Sequence, residues 1–324
     1  MLDGLAPIAA GEFSGGSYAN SAGRRNYKLY APHRYHGQAL PLVVMLHGCT
    51  QDPDDFAAGT RMNQAADEKD CFVLYPQQSK AANPSLCWNW FSALDQQRDH
   101  GEPSIIADMA RDVMRTHRID TRRVFVAGMS AGGAMAVILA ATYPDVFSAV
   151  GVHSGIPYQA AQNLLTALSA MRRGAKDNAL MNLKPVRTIV FHGSKDRKVH
   201  PRNGEQIILQ LLDPSPASAA GKRVTLQSGT KNGRSFERKV FHNPEGSTLA
   251  EQWLVRGTGH AWSGGSAEGS NAEPAGPDAS REMLRFFLRA PDPVETSRET
   301  GARNSILRRT LRALRLLPAQ NPRE

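Results

Sequence analysis

The stretch VFVAGMSAGG (residues 124–133) decides the fold of this chain. Its first four residues are typical of a short buried strand, and the Ala-rich run over residues 132–143 is typical of a helix. Between them lies GMSAG, a G-x-S-x-G motif in the strand–turn–helix setting that gives the motif its meaning. The glycines leave room for a strained turn, and this turn lifts the side chain of Ser130 to the carboxyl edge of the sheet.

Apolar runs and segments of helical spacing alternate around this stretch. The run Leu40–Leu46 is apolar without interruption, which indicates a strand buried on both faces. Short strands that alternate with helices predict a mostly parallel central sheet covered by helices on both faces. The other predicted strands lie at 26–31, 71–75, 149–152, 188–192, 224–226, 236–241 and 252–255, and the other helices at 55–69, 104–117, 204–212 and 280–288.

Length and composition indicate one globular domain with extensions. The chain has 324 residues, of which 41% are hydrophobic and 21% charged, close to the values of ordinary globular proteins. No apolar run approaches the roughly 18 residues of a membrane-spanning helix. We predict a flexible N-terminal lead-in over 1–25, one α/β domain over 26–290, and a basic C-terminal tail over 291–324.

The net charge of +9 and the pI of about 9.7 first point toward nucleic acid. However, residues 297–324 hold seven arginines and two acidic residues, so five of the nine charges lie in the tail. We therefore expect no nucleic-acid partner for the domain. The run over 306–317 predicts an amphipathic basic helix, for which docking on the domain, contact with an anionic membrane surface and binding of a partner all stay open. The oligomeric state is equally open.

The chain contains three cysteines, Cys49, Cys71 and Cys87. They form no C-x-x-C pair, and no histidine cluster has zinc spacing, so we expect no metal site. One disulfide with one free thiol and three free thiols both remain open on this evidence. Residues 1–10 lack the pattern of a signal peptide, which fits either a native start or a chain whose export signal was removed.

An activated serine needs a base, and the base needs an acid to orient it, in the chain order serine, acid, histidine for this arrangement. Asp196 follows a predicted strand and a glycine-containing turn in the run TIVFHGSKD (188–196). His260 lies in GTGHAW (257–262), just past the predicted strand 252–255. We predict Ser130 as the nucleophile, Asp196 as the acid and His260 as the base.

The segment LHGC (46–49) ends the second predicted strand, where such folds supply a second N–H group for a developing oxyanion. We assign the oxyanion donors to the backbone N–H groups of Ala131 and Cys49, with Thr50 as the alternative to Cys49, and a structural role to His47. For contact with substrate the sequence offers four apolar candidates: Trp88, Trp90, Trp262 and Met129. For Trp90, burial in the ordinary core is an equal alternative. This chemistry requires no metal or organic cofactor.

Five blocks in order resemble the polyhydroxybutyrate depolymerase family of esterases, which has the α/β-hydrolase fold and is close to feruloyl and acetylxylan esterases. They are LHGCTQ (46–51), CWNWF (87–91), GMSAGG (128–133), HGSKD (192–196) and GHAWSGG (259–265). The resemblance runs from about Tyr27 to Phe287. It implies a serine esterase with the three residues assigned above. Members commonly pair the HGC cysteine with the one before the tryptophan, which implies a Cys49–Cys87 disulfide and leaves Cys71 free.

The resemblance implies hydrolysis of 3-hydroxybutyrate esters, either polymer or oligomers. Secreted polymer-degrading members often add a linker and a polymer-binding domain, for which this chain has no room, so we expect oligomeric or soluble esters as substrates. The alternatives are a feruloyl or acetylxylan esterase, a peptidase, and a non-catalytic membrane or nucleic-acid binder on a hydrolase scaffold. The implied disulfide favours a secreted or periplasmic protein, while the missing signal peptide leaves the cytoplasm open.

Overall fold

The strand β3 (Leu40–Leu46) is buried along its whole length and separates two hydrophobic clusters. Leu42, Val44 and Leu46 pack into the first cluster, and the two residues between them pack into the second. A strand with two apolar faces has to lie inside a sheet that is covered on both sides. The computed structural model, which describes residues 11–175, 183–212 and 223–289, places it there.

Ten strands of the described residues form one mixed sheet in the order β1-β2-β4-β3-β5-β6-β7-β10-β9-β8. The six central strands, from β4 to β10, run parallel, and the pairs at both edges are antiparallel. The strands are β1 (Phe13–Asn20), β2 (Gly23–Tyr30), β4 (Phe72–Pro76), β5 (Ile119–Met129), β6 (Ala149–His153), β7 (Arg187–Gly193), β8 (Arg223–Lys231), β9 (Arg234–His242) and β10 (Thr248–Val255), besides β3. Two further short strands, β11 (Trp262–Ser263) and β12 (Ala272–Glu273), pair with each other.

Helices cover both faces of the sheet, as predicted. Four helices contribute to the first cluster: α3 (Gly101–Thr116), α4 (Ala131–Thr142), α5 (Leu164–Arg173) and α6 (Arg202–Leu211). Three contribute to the second: α1 (Pro53–Thr60), α2 (Met62–Asp67) and α7 (Ala279–Leu288). A 3₁₀ turn covers Leu94–Gln96. None of the helices in the described ranges is long and apolar enough to cross a membrane.

The flexible N-terminal lead-in predicted over 1–25 is wrong from Phe13 onward, because the structure places β1 and the first three residues of β2 there. The Gly and Ser content of FSGGSYAN resembles a loop, yet alternate residues of this strand are partly buried and its backbone pairs with β2. Sheet pairing thus overrides the weak strand propensity of these residues. Residues 1–10 and the tail over 290–324, including its predicted amphipathic helix, lie outside the described residues.

The single helix predicted over 55–69 is in fact two helices, α1 and α2. Arg61 ends the first helix in the left-handed conformation, with φ of 53°. Its guanidinium donates a hydrogen bond of 2.6 Å to the carbonyl of Gly264, in the loop that follows β11. This tertiary contact fixes the break, which the helical spacing alone does not reveal.

Candidate active site

Ser130 occupies the turn between β5 and α4, with φ of 56° and ψ of −119°. A non-glycine residue rarely adopts this backbone conformation, and it persists only where the surroundings fix it. Here the Ser130 N–H donates to the His153 carbonyl at 3.0 Å, and its own carbonyl accepts from the Ala134 N–H at 2.9 Å. The turn is therefore held from both the sheet and the helix.

The two glycines of the motif are required by close backbone packing. A Cβ atom on Gly128 would lie 2.4 Å from the Gly132 carbonyl oxygen. A Cβ atom on Gly132 would lie 2.0 Å from the Leu46 carbonyl oxygen, at the end of β3. Both distances are below any real contact, so the turn and the neighbouring strand end approach each other only because these residues are glycine.

Asp196 and His260 are in direct contact after the ends of β7 and β10, which are neighbours in the sheet. The Nδ1 atom of His260 lies 2.7 Å from Oδ2 of Asp196, so a proton on Nδ1 is donated to the carboxylate. The other carboxylate oxygen accepts from the N–H groups of Lys198 and Val199, each at 2.9 Å. The Asp196 side chain is fully buried, and this network fixes its orientation.

Burial of Asp196 opposes its charged form, but hydrogen bonds from His192, His260 and the Val199 N–H outweigh it and hold its pKa well below the usual range. His192 Nε2 lies 3.5 Å from the carboxylate and 2.8 Å from the Val199 carbonyl. His192 therefore contacts both the acid and the turn that carries it. Asp196 is thus ionised at neutral pH.

Ser130 and His260 line the same open cavity of about 390 Å³. In the described structure no hydrogen bond joins the Ser130 hydroxyl to His260. Such a contact often closes only when substrate is bound. The arrangement therefore brings the three predicted residues to one edge of the sheet, with the carboxylate–imidazole pair already formed.

The oxyanion candidates lie on the loop after β3 and at the start of α4. The N–H of Thr50, the alternative to Cys49, donates to the Ser85 carbonyl at 2.8 Å and is not free. By contrast, the N–H groups of Cys49 and Ala131 have no acceptor within the described part of the chain. Cys49 also lines the cavity. Geometry thus favours Cys49 over Thr50.

Several anchors hold this loop. A disulfide joins Cys49 to Cys87, with the two Cα atoms 4.2 Å apart, while Cys71 is free and buried. The Gln51 side chain accepts from the Gly48 N–H at 3.0 Å and donates to Asp55 at 2.8 Å.

His47, buried beneath the same loop, lies with Nδ1 2.8 Å from the Gly48 carbonyl, and its Nε2 atom accepts from the Gln78 N–H at 3.1 Å. Because these contacts need a proton on Nδ1 and none on Nε2, the imidazole is neutral, and burial lowers its pKa accordingly. His47 therefore orders the loop from inside.

Of the four residues predicted to contact substrate, only Met129 lines the cavity. Trp88, Trp90 and Trp262 are instead buried in the core, with Trp262 donating from its indole N–H to the Ser280 hydroxyl at 3.1 Å. Their positions beside the site in sequence are correct, but their large apolar surfaces are used for packing. Trp88 packs beside the ring of His47, and Trp262 stacks on that of His153.

The cavity wall contains residues that the sequence interpretation missed. Leu168, Met171 and Arg172 come from α5, which was not predicted, and Arg197 and Lys198 follow the acid directly. The only sequence signal for the last two was their position next to Asp196. The cavity thus has a mixed apolar and cationic wall.

The strand order and the turn-borne serine beside an aspartate–histidine pair define this chain as an α/β-hydrolase. A solved acetyl xylan esterase from Aspergillus awamori has the same fold, with a TM-score of 0.62 at 19% identity over 81% of this chain and 93% of that one. The chain belongs to the esterase PHB depolymerase family, whose family model matches residues 25–233.

Two curated relatives cover much of the chain. Poly(3-hydroxyalkanoate) depolymerase C of Paucimonas lemoignei is 32% identical over 237 residues, which are 68% of this chain and 54% of that protein. Feruloyl esterase B of Thermothelomyces thermophilus is 27% identical over 238 residues, covering 68% of this chain and 78% of that protein. The chain thus matches about half the length of the depolymerase.

Proposed function

We propose that this protein is a serine esterase that hydrolyses short-chain hydroxyalkanoate esters through an acyl-enzyme on Ser130. The observation that carries the proposal is the 2.7 Å contact between Asp196 Oδ2 and His260 Nδ1, at the cavity that Ser130 also lines. Because the carboxylate accepts the Nδ1 proton, the Nε2 atom of a neutral His260 is left as a base.

In the proposed reaction, His260 Nε2 takes the proton of Ser130 as the serine oxygen attacks the ester carbonyl. The buried, ionised Asp196 stabilises the imidazolium that forms. The alcohol leaves with the proton from His260, and water then attacks the acyl-enzyme by the same sequence. The backbone N–H groups of Cys49 and Ala131 stabilise the oxyanion of each tetrahedral intermediate.

The substrate class rests on the family and on the relatives. The 32% identical relative is a poly(3-hydroxyalkanoate) depolymerase, which supports hydroxyalkanoate esters. A feruloyl or acetylxylan ester is the second candidate, because a 27% identical relative is a feruloyl esterase. A cavity of about 390 Å³ accommodates a small acyl group of either kind.

A substrate panel tests the proposal. Initial rates are compared on a 3-hydroxybutyrate oligomer, methyl ferulate and an acetylated xylose, for the wild type and for Ser130→Ala. We expect the oligomer to have the highest kcat/KM and the variant to be inactive on all three. A preference for methyl ferulate or the acetylated sugar would replace the substrate class, and full activity of the variant would refute the serine mechanism.

We further propose that the protein works in an oxidising compartment, secreted or periplasmic. The Cys49–Cys87 disulfide supports this, because such bonds persist mainly outside the reducing cytoplasm. A thiol titration of the denatured, unreduced protein from its native source is expected to find one thiol, that of Cys71. A result of three thiols would contradict this proposal.

A further inference from the structure

Three cationic side chains meet at the cavity that contains Ser130. Arg172 comes from the last turn of α5, and Arg197 and Lys198 come from the turn after Asp196. The thirteen residues that line the cavity include no aspartate or glutamate. The wall around the reaction centre is thus positively charged, on side chains from two separate elements.

No ion pair within the described ranges neutralises these three side chains. All three are exposed, whereas some arginines elsewhere on the surface, such as Arg98 with Asp145 and Arg281 with Glu68, are paired with carboxylates. Arg172 complements the negative end of the α5 helix, which is an ordinary reason for a basic residue there. That reason does not apply to Arg197 or Lys198, nor does it explain why all three line one cavity.

The backbone that carries these cations is well anchored. The Lys198 N–H donates to Asp196 at 2.9 Å, so the turn that carries Arg197 and Lys198 is tied to the acid. Helix α5 begins with a capping box, in which Asn163 and Thr166 exchange hydrogen bonds. The backbone positions that carry the charges are therefore fixed near the nucleophile.

From this geometry we propose that Arg172, Arg197 and Lys198 form a recognition site for a free carboxylate on the ester substrate. The substrate class is an ester that carries a carboxylate a few bonds from the scissile carbonyl, such as a short hydroxy-acid oligomer with its free acid end. The inference rests on the proposed esterase function and narrows its substrate. Neutral esters, such as alkyl ferulates or acetylated sugars, offer these cations no partner.

The test compares two esters that differ only in this charge: the 3-hydroxybutyrate dimer with a free carboxylate and its neutral methyl ester. Cleavage of the ester between the two units is measured through the monomers that it releases. We expect wild-type kcat/KM to be higher for the acid. In the triple variant Arg172→Gln/Arg197→Gln/Lys198→Gln, kcat/KM for the acid should fall on the order of tenfold, mostly through KM, with little change for the methyl ester.

The control variant Lys69→Gln/Arg122→Gln/Arg223→Gln removes the same number of charges outside the cavity. It should keep the preference for the acid, because removing these charges changes only the long-range electrostatic potential of the protein and leaves the cavity wall intact. Added salt should weaken the wild-type preference and leave that of the cavity variant unchanged. An equal preference in wild type and cavity variant, or an equal loss in both variants, would overturn the proposal.

A binding measurement separates this inference from the esterase proposal itself. Calorimetric titration of 3-hydroxybutyrate and of its methyl ester measures binding alone when both proteins also carry Ser130→Ala, which prevents turnover of the methyl ester. We expect the acid to bind the wild type more tightly than the cavity variant, and the methyl ester to bind both alike. If the wild type hydrolyses no ester yet this difference in binding is found, the esterase proposal is refuted and the carboxylate site is retained. If the acid binds both proteins equally, the carboxylate site is refuted.

Discussion

At Ser130 the backbone is held in a conformation that this residue type rarely adopts, and two glycines make this possible. The main chain of the turn passes so close to Leu46 that no side chain fits at position 132. The same close approach brings the loop after β3, with Cys49, next to the nucleophile. A packing requirement at one residue thus determines where the oxyanion donors lie.

Gly132→Ala tests this argument. Its Cβ atom would lie 2.0 Å from the Leu46 carbonyl oxygen, so the backbone has to shift. We expect the free energy of unfolding to fall by about 3 kcal/mol or more, together with a loss of most activity. The matched control is Gly15→Ala on β1, where no atom lies within 4 Å, and urea unfolding should show little change. Equal stability of the two variants would contradict the packing argument.

His153 is a buried residue beside the site that the sequence interpretation did not assign. Its ring stacks on Trp262 and Phe191, and its Nε2 atom accepts from the Ser263 N–H at 3.1 Å. Burial, followed by the nearby His192 and His260, lowers its pKa to about 3. His153 is therefore neutral in the folded protein and becomes protonated readily only after unfolding.

Because the folded-state pKa of His153 is lowered, the unfolded chain binds more protons between the ordinary value of 6.5 and about 3. Stability should therefore fall as the pH decreases through this window. Between about pH 6.5 and 4.5 this single group contributes a loss of about 2–3 kcal/mol. Urea unfolding of wild type and His153→Phe at both pH values measures it. The variant keeps an aromatic ring and should lose less stability on acidification; an identical loss would refute the assignment.

At the scale of elements, the sequence predicts best where one physical requirement dominates. The strand β3 has its predicted bounds because a doubly buried strand has to be apolar throughout. Helix α5 was missed because its leucines point outward: Leu165 is 80% exposed, and only Ala167 and Ala170 are buried. With its apolar side chains on the solvent side, such a helix lacks the usual pattern of burial.

The cavity wall shows the same limit. Trp88 and Trp262 were predicted at the site because they lie near it in sequence, yet side-chain direction places both in the core. The triad candidates needed only chain order and strand ends, which the sequence contains. The wall combines α5, the 48–51 loop and Asn271, whose proximity depends on tertiary packing. Local patterns do not encode that proximity.

The loop with Cys49 is held by the disulfide and by the side chains of Gln51 and His47. Cys49→Ser/Cys87→Ser removes the covalent anchor between residues separated by 38 positions. We expect a loss of about 2–4 kcal/mol in stability and a lower kcat, because the loop that presents the Cys49 N–H becomes less ordered. Urea unfolding and steady-state rates measure the two effects.

The control for this variant is Cys71→Ser, which removes a buried thiol that lies beside the Pro41 carbonyl, at the opposite end of β3 from the loop. Burial of a hydroxyl should lower its stability, but its kcat should stay close to that of the wild type. If the double variant retained wild-type kcat and stability, the disulfide would have no role in ordering the site.

At the scale of the whole molecule, two groups of positive charge lie far apart in the sequence. Five of the nine net charges lie in residues 297–324, and three exposed cations line the cavity. The first group is remote in sequence from the residues of the site. The second lies at the reaction centre and concerns substrate charge. The overall pI therefore says little about either role.

The tail remains a prediction from sequence. Its run over 306–317 predicts an amphipathic basic helix, and contact with an anionic membrane surface is one of the three roles that stay open for it. We expect the full chain to co-sediment with phosphatidylglycerol vesicles, and a chain that ends at Arg289 to remain in solution. Vesicles of neutral phosphatidylcholine provide the control. Equal sedimentation of the two chains would exclude this role for the tail.

The central claim is that catalysis proceeds through an acyl-enzyme on Ser130, and mass spectrometry of the quenched reaction tests it most directly. The wild type is mixed with the p-nitrophenyl ester of 3-hydroxybutyrate, quenched in acid within the first turnover and digested. The account predicts a 3-hydroxybutyryl adduct on the peptide that contains Ser130, and neither adduct nor p-nitrophenol burst in Ser130→Ala. An adduct on another residue, or turnover in Ser130→Ala at the wild-type rate, would contradict it.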